Sequence, residues 1–497
     1  MFDYRQLEPQ RVFYYFEKIC EIPHGSGDTW QISNYLVEFA KEHSLWYRQD
    51  ALGNVIIKKS ATPGYEGAAT VMIQGHMDMV CEKEADYNID FHTQGISLCT
   101  DGEILYAQGT TLGGDDGIAV AMALAILEAQ DIRHPDLEVV ITVDEEIGML
   151  GASALDTSDL KAKLMLNLDS EDEGQFLIGC AGGVTSDCTM EIPLVNRKED
   201  ADWKDAICMR LCIDGLLGGH SGMEIHKQRA NANKLLFEVL AALLQQEEMR
   251  VAYLDGGKKD NAIPRTAYAD LLIPGAKKER AVQLVESVAA KEKKHYEDVD
   301  AGLCISLQPC EKEYDTFMEQ EACFNMIHAM RRLPNGVICM NKDLPDLVQT
   351  SLNMGVLTMQ TDMEKAKGRV KAGFSVRSSV NEEKQQVTNE LKQKMQEAGG
   401  TYEENGAYPA WEYKPESKLR DLMIEIFEQQ FGKTPTLDVI HAGVECGLFA
   451  DKIEGLDCVS YGPQMYDIHT PKERLYVDSV ARTYAFTIEI LKRLCEI

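Results

Sequence analysis

No run of about 18 apolar residues occurs anywhere in the 497 residues, so no membrane-spanning helix is expected. There is no Cys-x-x-Cys pair either. The 14 cysteines are scattered, and some, such as Cys208 and Cys212 in ICMRLCI, stand in apolar stretches as small core residues do. That usage fits a reducing compartment better than a disulfide framework. The N-terminal MFDYRQLEPQ lacks the basic start and apolar core of a secretory signal, so a cytoplasmic protein is expected. Positive charge is in deficit: 50 Lys and Arg face 81 Asp and Glu, for a formal net charge of -31. A field of that sign repels phosphate backbones and anionic lipid, and neither nucleic acid nor membrane is expected as a partner. What remains is an ordinary globular composition, 44% apolar and 26% charged. The chain is too long for a single core, so two or three domains are expected.

Residues 1–184 alternate helix-like and strand-like segments. Helices are expected over 6–20, 31–43 and 118–130, and strands over 54–58, 71–74, 137–143 and 164–168. Short unbroken apolar runs between helices are the mark of strands buried on both faces of a largely parallel sheet. The character changes near residue 185. Strand, helix, strand, strand, helix runs through ICMRLCI, a helix at 230–246, VAYLDGG, AIPRTAYADLLI and a helix at 279–294. The pattern then repeats through LCISLQP, a helix at 316–332, SLNMGVLTM, RVKAGFSVRS and a helix at 382–398, as a duplicated α+β module would. After about residue 404 the first character returns, with helices at 418–431 and 480–495 around a strand at 456–461. The expected fold is therefore α/β, with a discontinuous sheet domain over 1–184 and 405–497. An α+β lid domain over 185–404 is inserted into it.

Five acidic or histidine-bearing stretches stand at the ends of these strand-like runs. They are His76-Met77-Asp78, Gly113-Gly114-Asp115-Asp116-Gly117, Asp144-Glu145-Glu146, Asp169, and His469 in a late loop. Imidazole with carboxylate is a donor set that suits zinc and its neighbours without any thiolate. Two histidines and three or more carboxylates suffice for two metals sharing one carboxylate, and such a pair activates water for hydrolysis. Ligands of open α/β sheets gather beyond the carboxyl ends of strands, where all five stretches are expected. Each also has a plainer reading. His76-x-Asp78 is a common surface tripeptide, Asp115-Asp116 could cap a helix, and Asp144–Glu146 could be a solvated turn. On the metal reading, Asp78 hydrogen-bonds the second ring nitrogen of His76, Glu146 is a ligand and Glu145 is a general base. His220, in the glycine-rich GLLGGHSG, is either a turn residue or a side chain that stabilises an oxyanion.

Together, the five motifs, their order and the insertion resemble the dinuclear zinc peptidase family that includes carboxypeptidase G, acetylornithine deacetylase and several dipeptidases. Within it, the aminoacyl-histidine dipeptidase branch is similar over nearly the full length, including the doubled lid, the Gly-rich Asp115-Asp116 turn and the terminal IHTPKER. The resemblance implies a metal-dependent dipeptidase acting on small peptides, aminoacyl-histidine among them, as a monomer or a homodimer. It implies two zinc ions, with manganese or cobalt as alternatives. His76, Asp115 and Asp169 would hold one, and Asp115, Glu146 and His469 the other. Asp78 would orient His76, Glu145 would be the catalytic base, and His220 would meet the oxyanion. Asn261 in DNAIPR and Arg377 in FSVRSS would hold substrate, Arg377 through a terminal carboxylate. His441, Gly443 and Glu445 in IHAGVECG would lie near the substrate. Gly114 stands where relatives usually carry alanine. A deacylase of N-acyl amino acids would use the same metal ligands. A non-catalytic metal-binding relative would have no use for Glu145.

Overall fold

The computed structural model describes residues 3–342 and 347–497; Met1 and Phe2 of the N-terminal stretch read above lie outside it. The chain forms two compact units: Met1–Cys180 with Trp411–Ile440 and Val444–Ile497, and Ala181–Ala410 with His441–Gly443. Among the described residues no helix is long and apolar enough to cross a membrane.

The first unit is built on a mixed eight-stranded sheet. Across it the strands run Trp46–Gln49, Val55–Lys59, Leu137–Thr142, Val71–His76, Leu164–Asn167, Asp457–Ser460, Gln175–Cys180 and Thr436–Ile440. The four strands from Leu137–Thr142 to Asp457–Ser460 are mutually parallel, and two of them, Val71–His76 and Leu137–Thr142, are buried along their whole length. Burial along both faces is what helical cover on each side of a parallel sheet produces, and it takes in polar Gln74 and Glu138 along with the apolar residues. One covering helix, Gly114–Glu128, is buried from Gly114 to Leu127, which its GIAVAMALAILE sequence requires, since no polar face exists to meet water. The first long helix begins at Gln10 rather than Gln6. Pro9, with no N–H to donate, takes the N-cap in an extended conformation, and Tyr4–Gln6 form a separate short turn.

The second unit is an antiparallel ten-stranded sheet carrying four long helices. Cys304–Pro309, Ile207–Asp214, Ala267–Ile273 and Arg250–Lys258 lie side by side, followed by Val348–Asp362, Lys367–Ser378, Gly182–Asn196 and Thr316–Met318. Gly336–Met340 and Thr401–Tyr408 pair onto Val348–Asp362 and Gly182–Asn196. LCISLQP, expected to open the second copy, is instead the outer strand beside Ile207–Asp214, seven residues from Thr316–Met318. The long strand Gly182–Asn196, which the pattern did not reveal, takes the corresponding inner position in the other half of the sheet. Helices Ala232–Gln246, Lys278–His295, Gln320–Arg332 and Asn381–Glu397 send Leu236, Val285, Met326 and Leu391 into one core with the sheet. Phe237 is wholly buried in that core. Phe237→Ala is expected to cost about 3–5 kcal/mol, read as a lower denaturant midpoint for this unit.

Candidate metal centre

Because four adjacent strands of the first unit run parallel, their carboxyl ends open on one edge of the sheet. Val71–His76 delivers His76 and Asp78 there, Leu137–Thr142 delivers Glu145 and Glu146, Leu164–Asn167 delivers Asp169, and Asp457–Ser460 leads into the loop that bears His469. Asp78 is the organiser of the first two stretches. Its Oδ1 accepts from the Glu145 N–H at 3.0 Å, and its Oδ2 from the Glu146 N–H at 3.3 Å and from Ser26 Oγ at 2.8 Å. The Nδ1 of His76 lies 3.0 Å from the Asp78 carbonyl oxygen and 3.3 Å from Oδ1, which leaves Nε2 facing the other carboxylates.

Asp115 joins two histidines. Its Oδ1 is 3.1 Å from His76 Nε2 and its Oδ2 is 3.1 Å from His469 Nε2. Asp169 adds an oxygen 3.6 Å from His76 Nε2, and Glu146 one 2.8 Å from His469 Nε2. The result is two histidine–carboxylate groups with one carboxylate in common. Glu145 presents an oxygen within 4.8 Å of His76 and Glu146 ligand atoms, and Asp116 does so toward His76 and Asp169.

The donors fit divalent cations. Burial pushes Asp169 up to about 6, opposed by His76 and reinforced by the charges of Asp115 and Glu146. Burial also lifts Glu145 and Asp116 well above the usual carboxylate range. The hydrogen bonds to Asp115 and Glu146 hold a proton on His469 up to about 11. Buried like charges that capture protons in this way are the environment a dication neutralises. Asp116 Oδ1 has no hydrogen-bond partner among the described residues.

Glu445, expected beside substrate, folds with the first unit and is fully buried, its Oε2 accepting from Gln74 at 2.5 Å and Thr142 at 2.6 Å. Gln74 in turn accepts from Asn167 at 2.6 Å. Sequence reasoning missed this network, since an interior Gln in an apolar strand gives no sign of its partner. It also passed over Asp116, whose Oδ2 accepts from the His76 N–H at 3.2 Å. A Cβ at Gly75 would come to 2.3 Å from that oxygen, so glycine is needed there. The signal was present in the Asp115-Asp116 pair, of which only the first was taken as a ligand.

His220, Asn261, Arg377, His441 and Gly443 belong to the second unit. The backbone N–H groups of Gly222 and Met223 both donate to His220 Nδ1, at 3.2 and 3.1 Å. The ring proton therefore resides on Nε2, and burial with the nearby Arg377 charge lowers the pKa and keeps the ring neutral. Asn261 is exposed beside it, its carbonyl accepting from the Ser221 N–H at 2.8 Å. Arg377 donates from Nη1 to the Tyr408 hydroxyl at 2.9 Å, while its buried Nε has no partner among the described residues. Ser351, directly across the strand pair from Arg377, lies 2.8 Å from His441 Nε2. Burial, then Arg377 and His220, lowers His441 to about 3, so it too is neutral. Gly443 follows in the same irregular turn.

A shared carboxylate between two histidine groups, with a further carboxylate alongside, is the equipment of hydrolases that use divalent cations. The comparisons make the class specific. The chain belongs to peptidase family M20/M25/M40, whose model matches residues 72–493. It is 36% identical over 494 residues to the cytosol non-specific dipeptidase of Escherichia coli K12, covering 99% of both chains. The crystal structure of aminoacylhistidine dipeptidase from Vibrio alginolyticus superposes with a TM-score of 0.89 at 35% identity, covering 99% of this chain and 98% of that one. Aminopeptidase PepT from Bacillus cereus shares the fold at a TM-score of 0.59 and 17% identity, over 98% and 99% of the two chains.

Proposed function

We propose that the chain is a cytosolic dipeptidase of broad specificity, a monomer or homodimer, that hydrolyses dipeptides including aminoacyl-histidine and β-alanyl-histidine. The observation that carries this reading is Asp115 facing two histidines, one through each oxygen. The similarity to two dipeptidases over full length supports it. His76, Asp115 and Asp169 would hold one zinc and Asp115, Glu146 and His469 the other; manganese and cobalt suit the same oxygen and nitrogen donors. When bound, such a pair acidifies water and polarises the scissile carbonyl.

The chain's own residues do the rest. Glu145, its backbone fixed by Asp78, takes the proton of the attacking water and returns it to the leaving amine. His220 offers a neutral Nε2–H to the oxygen on which negative charge develops, a donor already oriented by two backbone amides. Arg377 supplies a guanidinium for the terminal carboxylate of the substrate, which favours short peptides with a free C-terminus. Asn261, His441, Gly443 and Glu445 complete the substrate-side and supporting groups.

The test is a competition. Zinc-loaded protein is given Ala-His, a tripeptide and N-acetyl-histidine together, and products are followed by mass spectrometry. Selective loss of Ala-His supports the dipeptidase; selective loss of N-acetyl-histidine makes the enzyme a deacylase instead. A second expectation concerns the clamp. Arg377→Met should lower kcat/KM for Ala-His by about 10–100-fold, mostly through KM, as expected for losing a hydrogen bond between charged groups. An unchanged KM would remove Arg377 from that role.

A further inference from the structure

Four residues beyond His469 stands a carboxylate that the reaction above does not use. Glu473 is buried, and both of its oxygens are filled by backbone N–H groups from another part of the chain. Oε2 accepts from Leu112 at 2.7 Å and Gly113 at 3.2 Å; Oε1 accepts from Gly114 at 2.8 Å and Asp115 at 3.4 Å. Four consecutive amides can converge on one anion only if the backbone curls, and Gly113 supplies the curl at φ +66°. The fit is close: a Cβ at Gly114 would lie 3.2 Å from Glu473 Oε1 and 3.1 Å from Met465 Sδ.

This turn ends at Asp115. Its two carboxylate oxygens reach the two histidines only while its own Cα is held in place, and Glu473 holds the peptide immediately before it. The Glu473 N–H also donates to the Thr470 carbonyl at 3.1 Å, so the clamp and the ligand His469 share one short turn. A single five-residue segment thus supplies a ligand and anchors the carboxylate that the ligand faces.

We propose that Glu473 is a positioning residue for the bridging carboxylate. Its charge, rather than its bulk, sets the 112–115 turn so that Asp115 spans both cation positions and couples their occupancy. This rests on the dinuclear reading of the site, and the experiment separates the two. Glutamine at 473 keeps the size but turns an N–H donor toward two of the four amides. Aspartate keeps the charge with a shorter reach.

Zinc binding to apo protein is titrated for wild type, Glu473→Gln and Glu473→Asp, with the visible spectrum of the cobalt forms, kcat, KM and Tm recorded alongside. Wild type is expected to bind two equivalents. In Glu473→Gln the weaker equivalent should loosen roughly 10–100-fold, the range for losing a group that orients a ligand. The cobalt bands should shift, and kcat should fall with KM little changed. Glu473→Asp should recover much of the binding; where the glutamine variant does not fold, the aspartate variant should show the same loss in milder form against wild type. Fewer than two equivalents in wild type would overturn the dinuclear reading itself. Two equivalents in wild type, with affinity and cobalt spectrum unchanged in every variant that folds, would overturn the role of Glu473. So would equal losses in the Gln and Asp variants, which would make bulk the cause.

Discussion

Glu145→Ala is expected to lower kcat by about 10²–10⁴-fold, the usual contribution of a positioned general base, while the protein keeps its full zinc content. Glu145 lies among the ligand atoms of His76 and Glu146, but neither histidine depends on it for a carboxylate partner. Each histidine has carboxylate partners without it: Asp115 and Asp169 for His76, and Asp115 and Glu146 for His469. Asp78 accepts from the Glu145 N–H at 3.0 Å and so fixes the backbone from which the Glu145 carboxylate projects. Burial and the neighbouring Asp169, Glu445 and Glu146 charges make this carboxylate a readier proton acceptor than a surface glutamate. Glu145→Gln should be as inactive as alanine, because the amide keeps the shape and loses the basicity. The measurement is kcat with metal content by atomic emission on the same preparation. Zinc lost together with activity would make Glu145 a ligand, and undiminished turnover would remove it from the mechanism.

The parts of the fold that sequence made legible are those governed by local pattern. The fully buried strands at 71 and 137 announced themselves as short, mostly apolar runs, broken only by single polar residues such as Gln74 and Glu138, and helix Lys418–Phe431 was anticipated to the residue. Patterns carry no information about which strand pairs with which. LCISLQP has the sequence of a strand in either half of the second unit's sheet, and only its pairing with Ile207–Asp214 decides the matter. Thr436–Ile440 was missed because three of its five residues are exposed, so it lacks the apolar run that gives a strand away. The same division holds at the site. His76, Glu146 and Asp169 were visible as reactive residues at strand ends, where topology brings them to one edge. Asp115, in the first turn of helix Gly114–Glu128, and His469, in a loop beyond Met465–Tyr466, were expected at such ends too but come from outside the parallel strands. Glu473 was not visible, because a carboxylate bound to backbone amides 358 to 361 residues away leaves no local trace. The tautomer of His220 was equally invisible, since it is set by the direction of two N–H groups.

Asp115→Asn should be the most damaging substitution at the site, and comparison with Asp169→Asn shows why. Asp115 places one oxygen 3.1 Å from each histidine, so it belongs to both donor groups; Asp169 approaches His76 alone, at 3.6 Å. An asparagine has one carbonyl oxygen and no charge. At 115 it cannot serve two cations, and the excess of carboxylates that would neutralise them shrinks at their midpoint. Zinc content should fall from two equivalents to one or none. Activity should fall by more than the about 10²–10³-fold that losing a single preorganised electrostatic contact costs. At 169 the same change removes a donor from one group only, so one equivalent should remain bound at wild-type affinity while the other weakens. Equilibrium dialysis against zinc resolves the two patterns. If both variants lose a single equivalent with similar affinities for the remainder, Asp115 is a terminal ligand and the shared-carboxylate arrangement is wrong. If only Asp115→Asn affects both equivalents, the carboxylate common to the two histidine groups is what makes the pair of cations act as one centre.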